Sequence, residues 1–263
     1  MALHVERAGA GPDLVLLHGW GLHGGVWHGL ATELAPAFRL HLVDLPGHGH
    51  SRALPFGSLD AVAAAVAAVV PAGAALCGWS LGGLVAMRLA TRHAGRLRAI
   101  ALVSTTPCFA RRDDWPHAMA RETLEDFAAG LRDDPARTIR TFVNLNALGG
   151  PHARDRMREL AALLVERGAP SAESLAAGLA VLHDGDLRDE AAAIDLPVAV
   201  IHGARDALVP AGAGRWLAAT LPFARYTEIA EAAHLPFVSH CADVAQSLRH
   251  LAGGESGRKL AHG

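Results

Sequence analysis

Gly78-Trp79-Ser80-Leu81-Gly82-Gly83 stands between the apolar run Ala74–Cys77 and the helical stretch Leu81–His93. No other feature restricts the fold as much. A chain that leaves a buried strand and enters a helix through one serine must turn so tightly that a side chain at Gly78 or Gly82 would clash. The turn lifts the Ser80 hydroxyl above the strand end, at a helix N-terminus where the backbone N–H of Leu81 can meet developing negative charge. With 28 glycines in the chain, a G-x-S-x-G string arises easily by chance, and the bland reading is a structural turn. The strand–helix setting gives this one its weight.

Short β-like runs alternate with longer helical stretches, which predicts an α/β fold: a mostly parallel sheet with helices on both faces. The runs are Leu14–Leu17, Leu40–Val43, Ala74–Cys77, Ile100–Val103, Val198–Ile201 and a weaker Arg225–Ile229. Helical stretches fall at Val26–Leu34, Leu59–Val70, Leu81–His93, Gly212–Thr220 and Val238–Leu251. From Pro107 to Leu187 no buried strand is legible, while helical spacing recurs, as in Leu160, Leu163 and Leu164. The expectation is a core of residues 1–106 and 188–253, a helical cap inserted at 107–187, and a flexible tail at 254–263.

Composition removes several function classes. A net charge of −2 leaves no basic footprint for nucleic acid. The longest candidate for a membrane span, Ala61–Val70, is far short of the roughly 20 apolar residues required. Glu6 and Arg7 interrupt anything resembling a signal peptide. Cys77, Cys108 and Cys241 are an odd, scattered set, which suits a reducing cytoplasm better than a disulfide framework. The 16 histidines include no H-E-x-x-H pair, so neither metal nor other cofactor is expected. The sequence does not give the oligomeric state; a monomer is the expectation.

A serine hydroxyl needs a base to take its proton. After a strand–serine–helix turn of this kind, the acid and then the histidine follow in chain order. Asp206 lies in the loop after Val198–Ile201, in His202-Gly203-Ala204-Arg205-Asp206, whereas Asp184, Asp186 and Asp195 precede that strand and would fall at its wrong end. His234 lies in Ala233-His234-Leu235-Pro236-Phe237, after the last strand and before the last helix; His240 and His250 fall within that helix. Asp206 would orient His234 and stabilise its imidazolium form. The second oxyanion donor should be the backbone N–H of Trp20, in His18-Gly19-Trp20-Gly21 after the first buried strand. Asp44-Leu45-Pro46-Gly47-His48-Gly49-His50-Ser51 reads as a tight structural turn with no chemistry.

Together these residues resemble the α/β-hydrolase superfamily across nearly the whole chain. Longer strings are similar to one branch of it, the carboxylesterases of biotin synthesis: Leu16-Leu17-His18-Gly19-Trp20-Gly21-Leu22, the serine turn, Pro107-Cys108-Phe109 with Asp114-Trp115-Pro116, and Ala233-His234-Leu235-Pro236-Phe237-Val238-Ser239-His240. The resemblance implies a pimeloyl methyl ester substrate carried on acyl-carrier protein, its chain entering between cap and core. It also implies a substrate site lined by Trp20, Ser80, Leu81, His234 and the segment Phe142, Val143, Asn144, Leu145 and Asn146. The sequence departs from the family pattern at Asn146, where glutamine is more familiar. Arg137, Arg140, Arg154, Arg156 and Arg158 crowd one stretch of the cap against Asp155. Arginine suits phosphate and carboxylate, so Arg137, Arg140, Arg154 and Arg158 are candidates for docking the acidic carrier; the alternative is a solvated helix face.

Other readings of the same residues are a broad small-molecule carboxylesterase, a hydrolase of carbon–carbon bonds, or a ligand receptor on a hydrolase body. A haloalkane dehalogenase would carry a carboxylate where Ser80 stands.

Overall fold

The computed structural model describes residues 2–252, so the tail expected at 254–263 lies outside the described residues. Seven strands form one sheet: β1 (Val5–Ala8), β2 (Asp13–Leu17), β3 (Arg39–Val43), β4 (Ala74–Trp79), β5 (Leu97–Val103), β6 (Val198–Gly203) and β7 (Ala224–Ile229). Their order is β1-β3-β2-β4-β5-β6-β7, and only β1 runs antiparallel to its neighbour. Every residue of β4 and β6 is buried, as expected for strands covered on both faces. The edge strand β1 was not legible in the sequence. Val5-Glu6-Arg7-Ala8 is too short and too polar to read as a buried run, and its charges suit an edge.

The core helices are α1 (His28–Leu34), α2 (Leu59–Ala67) and α3 (Leu81–Arg92), followed beyond β5 by α8 (Arg188–Ala191), α9 (Ala211–Thr220), α10 (Pro236–Ser239) and α11 (Cys241–Ala252). They pair as α2 with α3 and α1 with α11, one pair on each face of the sheet. Three sequence-expected helices differ in detail. The stretch Val26–Leu34 divides into a tight turn at Gly24–Trp27 and α1. The stretch Leu59–Val70 stops at Ala67, because Pro71 disfavours helical backbone just before it. The last helix breaks at His240, which takes a non-helical backbone between α10 and α11.

Between β5 and β6 lie α4 (Arg121–Asp133), α5 (Pro135–Ala147), α6 (Ala153–Glu166) and α7 (Ala172–Asp184). Asp134 starts α5 by accepting from the Arg137 N–H at 2.9 Å, with Pro135 in the first turn. Ser171 caps α7 in the same way through the Ser174 N–H at 3.2 Å. Helix α4 packs on α5 and α7, and α5 on α6. The two chain segments that join these helices to the sheet are clamped together. The Leu187 N–H donates to the Pro107 carbonyl at 2.8 Å, and the Trp115 indole to that of Cys108 at 2.8 Å. Arg188 pairs with Asp186 and Asp114 and lies over the Trp115 ring. The Pro-Cys-Phe and Asp-Trp-Pro strings thus build a neck. Among the described residues, no helix is long and apolar enough to cross a membrane.

Candidate active site

At the junction of β4 and α3, Ser80 has φ +54° and ψ −118°, a region that a residue with a side chain rarely occupies. Such a conformation costs about 1–3 kcal/mol and persists only where the surroundings over-determine it. Here they do. The Ser80 N–H donates to the Val103 carbonyl at 3.0 Å, and its carbonyl accepts from the Gly83 N–H at 2.8 Å and the Thr105 hydroxyl at 2.7 Å. A Cβ at Gly78 would collide with the Gly82 carbonyl, and one at Gly82 would lie 2.5 Å from the Leu17 carbonyl oxygen. Leu81 opens α3, so its N–H has no acceptor within the helix.

Asp206 sits in the loop after β6 and is buried. Its Oδ1 accepts from the backbone N–H groups of Leu208 at 3.0 Å and Val209 at 2.8 Å, and its Oδ2 accepts from His234 Nδ1 at 2.8 Å. Burial alone would raise its pKa. The facing His234, helped by hydrogen bonds from His202 and His234, outweighs burial and holds the carboxyl well below the usual carboxylate range. Asp206 is therefore an anion at neutral pH, and it fixes the ring of His234 with a proton on Nδ1.

The backbone carbonyl of His234 accepts from the Trp79 indole at 2.8 Å, so the residue before the serine also places the histidine loop. Among the described residues, His234 Nε2 is buried and has no hydrogen-bond partner. That nitrogen carries the lone pair a general base needs. The structure thus brings Ser80, Asp206 and His234 to one end of the sheet, on the loops after β4, β6 and β7.

Trp20 lies in the loop after β2. A Cβ added to neighbouring Gly19 would be 3.2 Å from Ser80 Cβ and 2.9 Å from the Trp79 ring, so this loop presses against the serine turn. The Trp20 indole donates to the Leu175 carbonyl at 2.9 Å, and its ring meets Phe142 edge-on at 4.7 Å. The indole is therefore engaged by α7 and is not the group expected to meet an oxyanion. Of the segment on α5, Phe142, Val143 and Asn146 are buried, Leu145 is half-buried and Asn144 is exposed. Asn146 Nδ2 donates to the Phe142 carbonyl at 2.7 Å, while its Oδ1 is buried without a partner among the described residues.

Arg137, Arg140, Arg154 and Arg158 are all exposed, the first two on α5 and the others on α6. Arg158 lies 3.0 Å from Asp155, and Arg156 turns to Glu159 at 2.6 Å. Among the described residues, no carboxylate pairs with Arg137, Arg140 or Arg154. No group of three or more His, Cys, Asp or Glu side chains among the described residues is placed to hold a metal.

Sequence reasoning missed several residues that shape this site. Thr105 locks the Ser80 carbonyl, and His18 and His48 flank the Trp20 loop. Arg167, at the end of α6, is buried against Asp44 at 3.0 Å and Glu6 at 2.5 Å. The turn read as chemically silent therefore supplies Asp44 as a buried anion, which also accepts from the Gly24 and His50 N–H groups. The one available signal was an aspartate at the end of a buried strand, where an unpaired charge is costly.

The chain belongs to the alpha/beta hydrolase family, whose pattern matches residues 14–247. Among its relatives, a pimeloyl-[acyl-carrier protein] methyl ester esterase of Chromobacterium violaceum is 47% identical, over 95% of this chain and 98% of that protein. A protein of the same name from Aeromonas hydrophila is 44% identical, over 96% of this chain and all of its own length. An esterase structure from Exiguobacterium antarcticum superposes with a TM-score of 0.86 at 21% identity, covering 95% of each chain, and speaks for the fold alone.

Proposed function

We propose that this chain is a serine carboxylesterase that hydrolyses the methyl ester of pimeloyl-[acyl-carrier protein] to the free carboxylate in biotin synthesis. The observation that carries the chemistry is the aligned pair His234–Asp206, with an open Nε2 beside a strained serine turn. The choice of substrate is supported by full-length relatives of that name at 44–47% identity. Free Cys77, Cys108 and Cys241 suit the cytoplasm.

Ser80 Oγ attacks the ester carbonyl while His234 Nε2 takes its proton. The Leu81 and Trp20 N–H groups receive the oxyanion. The tetrahedral intermediate then expels methoxide, which His234 protonates to methanol, leaving the acyl chain on Ser80. Water, deprotonated by the same nitrogen, attacks the acyl carbon. His234 returns the proton to Ser80 as the pimeloyl carboxylate departs. No cofactor is needed for any step.

Residues 107–187 serve as the cap in this reading, with the acyl chain running beneath Phe142 and Asn146. The carrier's acidic surface docks on Arg137, Arg140, Arg154 and Arg158, of which three have no competing carboxylate among the described residues. The test is incubation with pimeloyl-[acyl-carrier protein] methyl ester, followed by intact mass. Loss of the methyl group with the thioester kept, absent in Ser80→Ala, is the expected result. Good hydrolysis of a simple nitrophenyl ester with no turnover of the carrier-linked one would keep the serine esterase and discard the substrate.

A further inference from the structure

Two buried histidines beside the Trp20 loop have no part in the reaction written above. His18 Nδ1 lies 2.8 Å from the Gly19 carbonyl oxygen, and His18 Nε2 lies 2.9 Å from the Leu45 N–H. A carbonyl only accepts and an amide only donates, so the ring is neutral, with its proton on Nδ1. The same logic fixes His48, whose Nδ1 donates to the Pro46 carbonyl at 2.9 Å and whose Nε2 accepts from the Gly21 N–H at 3.2 Å. The two ring centres are 5.2 Å apart, and both side chains are fully buried.

The backbone groups they hold are the significant ones. The Gly19 carbonyl and the Trp20 N–H are opposite ends of one planar peptide group, and the Gly21 N–H belongs to the next. His18 therefore grips the peptide that carries the Trp20 N–H, the donor assigned above to the oxyanion, and His48 grips its successor. The other bond to the Gly19 carbonyl, from the Leu22 N–H, is longer at 3.5 Å. Gly21 has φ +77°, so steric preference alone would not hold the loop in this shape.

We propose that His18 and His48 are positioning residues for ester hydrolysis: they fix the Gly19–Trp20 peptide so that the Trp20 N–H points to where the oxyanion forms. By donating to the carbonyl of that same peptide, His18 also polarises it and strengthens its N–H as a donor. The proposal rests on the reading of Ser80 as nucleophile. Burial, aided by the neighbouring His48, pulls the His18 pKa down to about 3, and burial pulls that of His48 down to about 4. Both rings consequently keep an acceptor nitrogen at neutral pH, which a charged imidazolium would lose.

The experiment compares His18→Leu, His18→Asn, His48→Asn and His48→Gln on a small nitrophenyl ester. It measures kcat, KM, melting temperature and inhibition by an alkylboronic acid, which forms a tetrahedral adduct on serine. Asn at 18 can still donate to the Gly19 carbonyl, and Gln at 48 can still accept from the Gly21 N–H. Misplacing one oxyanion donor should lower kcat by up to about 10²-fold in His18→Leu and about 10-fold in His48→Asn, with KM within about twofold. Boronate affinity should fall in proportion, and His18→Asn and His48→Gln should recover most of both losses. Should His18→Leu fail to fold, the ratio of His48→Gln to His48→Asn decides the matter. Equal kcat in that pair, or a kcat loss with boronate affinity unchanged, overturns the proposal. Ser80→Ala with retained activity would instead defeat the nucleophile reading beneath it.

Discussion

The two sides of the candidate site are held by different means. On the sheet side, backbone does the holding: both peptide groups of Ser80 are bonded, and Gly78 and Gly82 admit no side chain. On the side of α5, contact is made by side chains, with Phe142 edge-on to Trp20 and Ile139 filling the space over Gly21. Backbone hydrogen bonds fix atoms to within tenths of an ångström, whereas packed side chains can part and re-form. The contrast teaches where each job must be done. The chemistry proposed at Ser80 needs the rigid side, and a substrate for a serine only 3% exposed would have to part the side-chain contacts on the other.

The strongest way to break this contrast is to remove the proposed nucleophile. Ser80→Ala should lower kcat by on the order of 10⁶ while leaving the melting temperature within a few degrees, because no packing is lost. Residual turnover above a thousandth of wild type would assign the chemistry elsewhere. Asp206→Asn comes next. It preserves shape but removes the anion that fixes the His234 tautomer, and kcat should fall by about 10⁴. A loss below tenfold would mean that the backbone of the His234 loop, held by Trp79, orients the ring unaided.

Much of the rigid side could be read from the chain, and little of the yielding side could. Ser80 and Leu81 were legible because a tight turn demands glycines at fixed offsets. Asp206 and His234 were legible because buried parallel strands announce their ends. Thr105, His18 and His48 were not, since each acts by a hydrogen bond to backbone that no spacing encodes. On α5, the segment Phe142–Asn146 was reached only through the family resemblance, which could not separate buried Phe142, Val143 and Asn146 from exposed Asn144. Arg167 was hidden for a different reason: its partners Asp44 and Glu6 are 123 and 161 residues away in sequence.

Arg167 is also where the helical insertion ceases to be yielding. Together with the His23–Leu163 contact at 2.7 Å, its buried pairing ties the end of α6 to the core. Arg167→Met should destabilise folding by about 3–5 kcal/mol, since it strands Asp44 as a buried anion. Asp44→Asn in the same chain should restore part of that loss. Burial raises the Asp44 pKa, but the His50 and Gly24 N–H groups and Arg167 together bring it below its ordinary value. A carboxyl lowered in the folded state adds stability at neutral pH and loses it as pH falls through the carboxylate range. The gap between wild type and Arg167→Met in urea unfolding should therefore persist from pH 7 down to the ordinary carboxylate value of 3.8 and narrow below it, as Asp44 takes up its proton. A gap under about 1 kcal/mol at pH 7 would show that this end of α6 is not anchored by charge.

The smallest effect should come from the exposed arginines. Arg154→Glu with Arg158→Glu changes charge on the outer face of α6, where salt and water screen every interaction. Stability should change by less than about 0.5 kcal/mol. Against an acidic carrier the same change turns attraction into repulsion, and KM for the carrier-linked ester should rise by about tenfold, an effect that added salt weakens. With a small nitrophenyl ester kcat/KM should stay within twofold, because neither arginine reaches the rigid side. Equal losses on both substrates would erase the division between the two sides, since a surface charge would then be felt at Ser80. No loss on either would leave these side chains as a solvated helix face and move carrier recognition to another part of the molecule.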